Sequence, residues 1–138
     1  MTLRISFLLL ASALLGFGAA QGQVIVVNRN VKVSEISKAE VRDIFTGAAA
    51  NFKDGSRAVP ATLKSGPAQD GFLKNFLSKS DAAFRAGWRE IVFSGQGTMP
   101  KTFPSPAALV EYVASVPGAI GYVDPGTSTA NVKVLEVK

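Results

Sequence analysis

Val116-Pro117-Gly118-Ala119-Ile120-Gly121-Tyr122-Val123-Asp124 is the stretch that decides the fold. Pro117 cannot continue a helix and Gly118 accepts a left-handed backbone, so a helix arriving from the N-terminal side stops here. Ala119 to Val123 then runs apolar without a break, the pattern of a short strand buried on both faces. Asp124-Pro125-Gly126 turns the chain. Val132-Lys133-Val134-Leu135-Glu136-Val137 follows as a last strand, its valine and leucine residues packing on the neighbours.

Working back from this stop, the helix that reaches it begins at Ser105-Pro106, with Leu109, Val110 and Val113 turned inward. Ahead of it lies Ser94-Gly95-Gln96-Gly97-Thr98-Met99-Pro100, a loop whose two closely spaced glycines permit unusual angles or close approach. It lacks the third glycine and the following helix of a dinucleotide fingerprint. Ser80 caps an earlier helix on which Phe84, Trp88, Ile91 and Val92 form an apolar stripe. Trp88 is in register with that stripe and reads as core. Arg85 and Arg89 lie one turn apart on its other side, a solvated face or partner surface, repulsive unless Asp81 or Glu90 offsets the pair.

The first half of the chain repeats the alternation. Val24 to Val27 is a β-branched strand pattern. Ser37-Lys38-Ala39-Glu40 is a capping box opening a helix through Phe45, with Val41, Ile44 and Phe45 inward and Gly47 closing it. Asn51 to Ser56 is turn chemistry around Asp54-Gly55, and Ala58 to Leu63 reads as a strand. Pro60 places that strand at an edge or a bulge, because proline cannot donate to a ladder. Lys64-Ser65-Gly66-Pro67 turns from it into a helix bearing Phe72, Leu73, Phe76 and Leu77 on one face. Strands alternating with helices of about ten residues predict an α/β sandwich: a small mixed, partly parallel sheet with flanking helices.

Residues 1–20 stand apart from this pattern. Arg4 supplies a positive start, Ile5 to Leu15 an apolar run and Gly18-Ala19-Ala20 a small-residue cleavage site, so the segment reads as a secretory signal peptide. The apolar run is shorter than the roughly 20 residues of a spanning helix. The expected location is therefore periplasmic or secreted, and residues 21–138 form a single domain with one core. Without cysteine there is no thiol to lipidate, no disulfide and no thiolate nucleophile. Without histidine the usual general base and the commonest metal ligand are also missing. With no convincing carboxylate pair either, the expectation is a protein that is not an enzyme and holds no metal or cofactor.

The formal charge is +5, and loss of Arg4 leaves fourteen basic and ten acidic side chains, or +4. The excess suits an anionic ligand or surface, but the cations are scattered and form no nucleic-acid patch.

Val33 to Gly47, the Asp54-Gly55 turn, Gly95-Gln96-Gly97 and Pro117 to Val123 together resemble the substrate-binding proteins of phosphate ABC transporters. The resemblance spans about Val24 to Val123. It implies one lobe of a type 2 periplasmic-binding-protein fold, whose two lobes close on phosphate and whose central lobe offers a serine-glycine-threonine run at a helix start. Amide hydrogens and the positive end of the helix dipole converge at such a start. This chain departs from the pattern, with Gly66-Pro67-Ala68-Gln69 at the position of that run and Asp70 after it. Proline removes a donor, and Asp70 repels an oxyanion.

The candidate ligand-binding residues are therefore Lys64, Ser65, Gly66 and Gln69, expected to hold phosphate or a related oxyanion weakly. In the competing reading Ser65 only caps the helix and Lys64 is solvated. Two functions are expected from this: an exported solute-binding-like protein, accessory to phosphate uptake, or a protein-interaction module of an envelope or sensory complex that kept the lobe without the ligand. Both favour self-association or an envelope partner.

Overall fold

A computed structural model describes residues 22–138; the predicted signal segment, residues 1–20, lies outside them. The β-branched run forms β1 (Val24–Val27) in the middle of a six-stranded sheet. After it come β2 (Glu35–Ile36), α1 (Lys38–Thr46), β3 (Val59–Leu63), α2 (Pro67–Phe72), α3 (Asp81–Phe93), β4 (Lys101–Phe103), α4 (Pro106–Ser115), β5 (Ala119–Val123) and β6 (Lys133–Val137). The sheet order is β2-β6-β1-β5-β3-β4. β1 runs antiparallel to β5 and β6, whereas β2–β6, β3–β5 and β3–β4 are parallel. The partly parallel sheet is thus as the alternation predicts, and the two shortest strands, β2 and β4, are additions that sequence pattern does not announce.

The helices cover both faces. α4 packs on one, against β1, β3, β4 and β5. A Cβ placed on Gly121 would meet Leu109 and Val113 of α4, so the missing side chain lets helix and strand approach closely. The next residue, Tyr122, faces the other side, where its ring lies parallel to Phe72 at 3.8 Å and edge-on to Phe45 at 5.8 Å. β5 is buried on both faces, as its unbroken apolar run requires.

Helix ends follow the predicted chemistry. Ser37 and Glu40 complete the capping box, Ser80 and Ser105 cap α3 and α4, and α1 ends at Gly47. The predicted helix after Pro67 is α-helical only to Phe72, then widens into one π-type stretch, Leu73–Leu77. Asn28 does more than end β1: its buried amide donates to the carbonyls of Val113 and Ala114, closing the last turn of α4.

Three expectations are corrected. β3 is not an edge strand, because β4 lies outside it. Pro60 is tolerated there because the Val59 amide donates toward β5, so the donor missing at Pro60 faces the β4 side, where pairing starts only at Ala61. Val92 leaves the apolar stripe and is 46% exposed, since the buried line of α3 runs through Phe84 and Trp88. Val134 is likewise exposed, because the period of two in β6 turns Leu135 inward and its neighbours out. Trp88 is core, as read, and its indole N–H donates to the Phe45 carbonyl at 2.8 Å.

Candidate functional site

The turn after β3 is held from below by Tyr122. Its hydroxyl accepts a hydrogen bond from the Leu63 amide at 2.9 Å, fixing the last residue of the strand. Burial pushes that hydroxyl far above the ordinary phenol range, so it stays neutral. The Lys64 amide donates to Phe103 of β4, and Gly66 stands at the N-terminus of α2, its carbonyl accepting from Asp70. Both ends of the turn are thereby set by backbone bonds.

Ser65 projects from this turn toward the first residue of α3. Its hydroxyl donates to Oδ2 of Asp81 at 2.9 Å, and the Arg85 side chain reaches the same oxygen through Nε at 2.9 Å. A second Arg85 nitrogen donates to the Ser65 oxygen at 3.2 Å. Gln69, only 1% exposed, turns its amide nitrogen to Asp81 Oδ1 at 3.5 Å, the outer limit of a hydrogen bond. Its Oε1 is buried without a hydrogen-bond partner among the described residues.

Ser65 and Gln69, twelve or more residues before Asp81, thus meet around one carboxylate. Ser65 does not cap α2: Gly66 is the N-cap and no side chain bonds the first turn. Lys64 and Gly66 share the turn but take no part in the Asp81 bonds, and Lys64 is exposed. The residue that sequence reading undervalued is Arg85. Its i, i+4 spacing from Asp81 was legible, and that pair is an ion pair of 2.9 Å. Its approach to Ser65, twenty residues away, was not.

The cluster has a defined electrostatic sense. Partial burial pushes the Asp81 carboxyl up, but hydrogen bonds from Arg85, Ser65 and Gln69 together with the Arg85 charge outweigh it, and the net shift is downward. Asp81 is therefore an internal anion held by three donors. Its pKa is lower folded than unfolded, so its contribution to stability is complete above the unfolded value and is lost as pH falls through the folded one, below about pH 4. Urea midpoints measured from pH 7 to pH 2 are expected to be lower for Asp81→Asn at neutral pH and to converge with the parent's at the acid end. A constant gap between the two curves would remove the assignment.

Among the described residues no group of histidine, cysteine, aspartate and glutamate is placed to hold a metal, and no helix is long and apolar enough to cross a membrane.

No family model matches the chain, and no curated protein does. Solved structures do. A Clostridium perfringens protein with bound phosphate, assigned as a phosphate ABC transporter substrate-binding protein, is similar at a TM-score of 0.66 and 17% identity, over 84% of this chain and 44% of the other. PstS from Borrelia burgdorferi is similar at 0.66 and 14%, over 85% and 47%. An ABC-type phosphate transport receptor from Vibrio cholerae is similar at 0.63 and 16%, over 84% and 46%. The chain spans under half the length of each of these proteins. At such identities the likeness establishes the fold: a mixed α/β unit matching one lobe of a phosphate-binding protein.

Proposed function

We propose that the protein is an exported solute-binding-like protein that recognises phosphate or a related oxyanion at the end of β3. The observation that carries this reading is the convergence of Ser65, Gln69 and Arg85 on one anionic group, the Asp81 carboxylate. Donors from the turn before α2, from α2 itself and from α3 define a place for negative charge, and Lys64, exposed and next to Ser65 in sequence, adds a cation to that turn. Asp81 fills that place from within. An incoming oxyanion competes with it, which keeps affinity in the millimolar range, about −4 kcal/mol. The likeness to proteins that bind phosphate supports the ligand class.

Thermal unfolding with about 10 mM phosphate, sulfate or chloride at matched ionic strength tests this reading. A tetrahedral anion is expected to raise the Tm above the chloride control in the parent. Asp81→Asn removes the competing charge a few ångströms away and is expected to strengthen the effect by roughly tenfold in affinity. Lys64→Glu is expected to abolish it.

A second reading has its own observation. Phe93 is 96% exposed beside Val92 and close in sequence to Met99, which is 40% exposed. Large apolar side chains in water favour a protein-interaction module of an envelope complex. No response to any anion in either the parent or Asp81→Asn would decide for it.

A further inference from the structure

The end of the sheet opposite the Asp81 cluster carries a groove of about 470 Å³. It opens where β3 begins, at Val59 and Pro60, whereas the cluster lies beyond the last residue of that strand. Its volume falls in the range of small-molecule sites, roughly 300–1,000 Å³. Ile44, Trp88, Ile91, Met99 and Tyr112 give it apolar and aromatic walls. One side is the Gln96–Pro100 loop, so the glycine-spaced segment singled out from sequence forms a wall of this groove. The Gln96 amide donates to the Ile91 carbonyl, and a Cβ on Gly97 would come within 3.2 Å of Ile91, which seats the loop directly on α3.

The charges of the groove have one sign. Arg57 and Lys101 line it, both exposed, and no aspartate or glutamate does. Neither cation is ion-paired among the described residues. Lys101 Nζ lies 5.4 Å from the centre of the Tyr112 ring, which holds the charge over the aromatic wall. A fully hydrated inorganic anion gains little here, because apolar walls cannot replace its water. A cation is repelled. The chemistry that satisfies both halves is an apolar body with one anionic head.

We infer that this groove is a binding site for small amphipathic organic anions, monocarboxylates with an aliphatic or aromatic body, with Arg57 and Lys101 holding the carboxylate and Trp88, Ile91 and Met99 the body. It is independent of the oxyanion site. Trp88 is the single tryptophan of the chain, so tryptophan emission reads the wall of the groove that it forms.

The test titrates the protein with octanoate, with uncharged octanamide and with inorganic phosphate, following Trp88 emission and confirming stoichiometry by calorimetry. Octanoate is expected to give a saturable change with one site per chain, roughly tenfold tighter than octanamide, while phosphate gives none. In the double variant Arg57→Gln, Lys101→Gln, which alters exposed side chains only, the preference for octanoate is expected to fall below about threefold while octanamide binding is unchanged. Absence of a saturable change up to about 10 mM would overturn the assignment, as would equal binding of acid and amide or an unaltered preference in the double variant. A dimer in sedimentation together with no octanoate binding would overturn it in favour of a second copy occupying the groove.

Discussion

Replacing Tyr122 by alanine is expected to cost about 5 kcal/mol, close to the whole stability of a small domain. The side chain is fully buried and parallel to Phe72 at 3.8 Å, with Phe45 edge-on to it. Its removal leaves a ring-sized cavity between β5 and the two helices that carry those phenylalanines, and close-packed neighbours refill such space only in part. It also strips the Leu63 amide of its acceptor at a buried position. Tyr122→Phe separates the two effects: the ring is kept, the bond is lost, and about 1–2 kcal/mol is expected. Urea midpoints at constant m report both changes. A midpoint for Tyr122→Ala within experimental error of the parent's would show that this aromatic cluster is not the centre of the core.

The second large effect is expected at Gly118. Its φ is +78°, and the turn it makes has the Ala119 amide donating to the Val116 carbonyl with Pro117 between. That is the geometry in which proline then glycine are preferred, the glycine alone reaching positive φ without strain. A Cβ here would also fall inside the contact radius of the Arg57 carbonyl oxygen, which is backbone and cannot swing away. Relief requires moving Gly118, whose own carbonyl accepts from the Val59 amide and whose amide donates to Asn30. Gly118→Ala is therefore expected to cost about 3 kcal/mol or more, the left-handed penalty and the displaced β3 pairing together. Gly126 is the internal control: its φ is +94°, but nothing lies within 4 Å of an added Cβ. Gly126→Ala is expected to show the conformational penalty alone, about 1–2 kcal/mol. Equal urea midpoints for the two variants would mean that contact with Arg57 contributes nothing.

Both positions were visible as the stretch from Val116 to Asp124, and the reason is local. A proline and glycine after an apolar helix, and five apolar residues after them, announce a stop and a buried strand without reference to the rest of the chain. The caps at Ser37, Ser80 and Ser105 were legible on the same ground, since each bonds an amide three residues away. β2 and β4 were not, because two or three residues carry no periodicity, and their status as strands comes only from the partners beside them. The exposure of Val92 and Val134 was also out of reach. Hydrophobicity says that a residue prefers burial, while the orientation of its element decides whether burial is offered.

The candidate site divides along the same line. That the turn after β3 could gather donors followed from Lys64, Ser65, Gly66 and Gln69 standing together at the start of a helix. That the donors of Ser65 and Gln69 are turned toward Asp81, with Arg85 closing the group, depended on the start of α3 being brought against the start of α2. By itself, then, the sequence determined the alternation of strands and helices, their ends and the apolar faces they bury, all of which are set by interactions within a few residues. Only the tertiary structure decided the strand order, the sharing of one carboxylate by Ser65, Gln69 and Arg85, and the groove between α1, α3 and the Gln96–Pro100 loop. Those join segments tens of residues apart, and their geometry exists only once the chain has closed its non-local contacts.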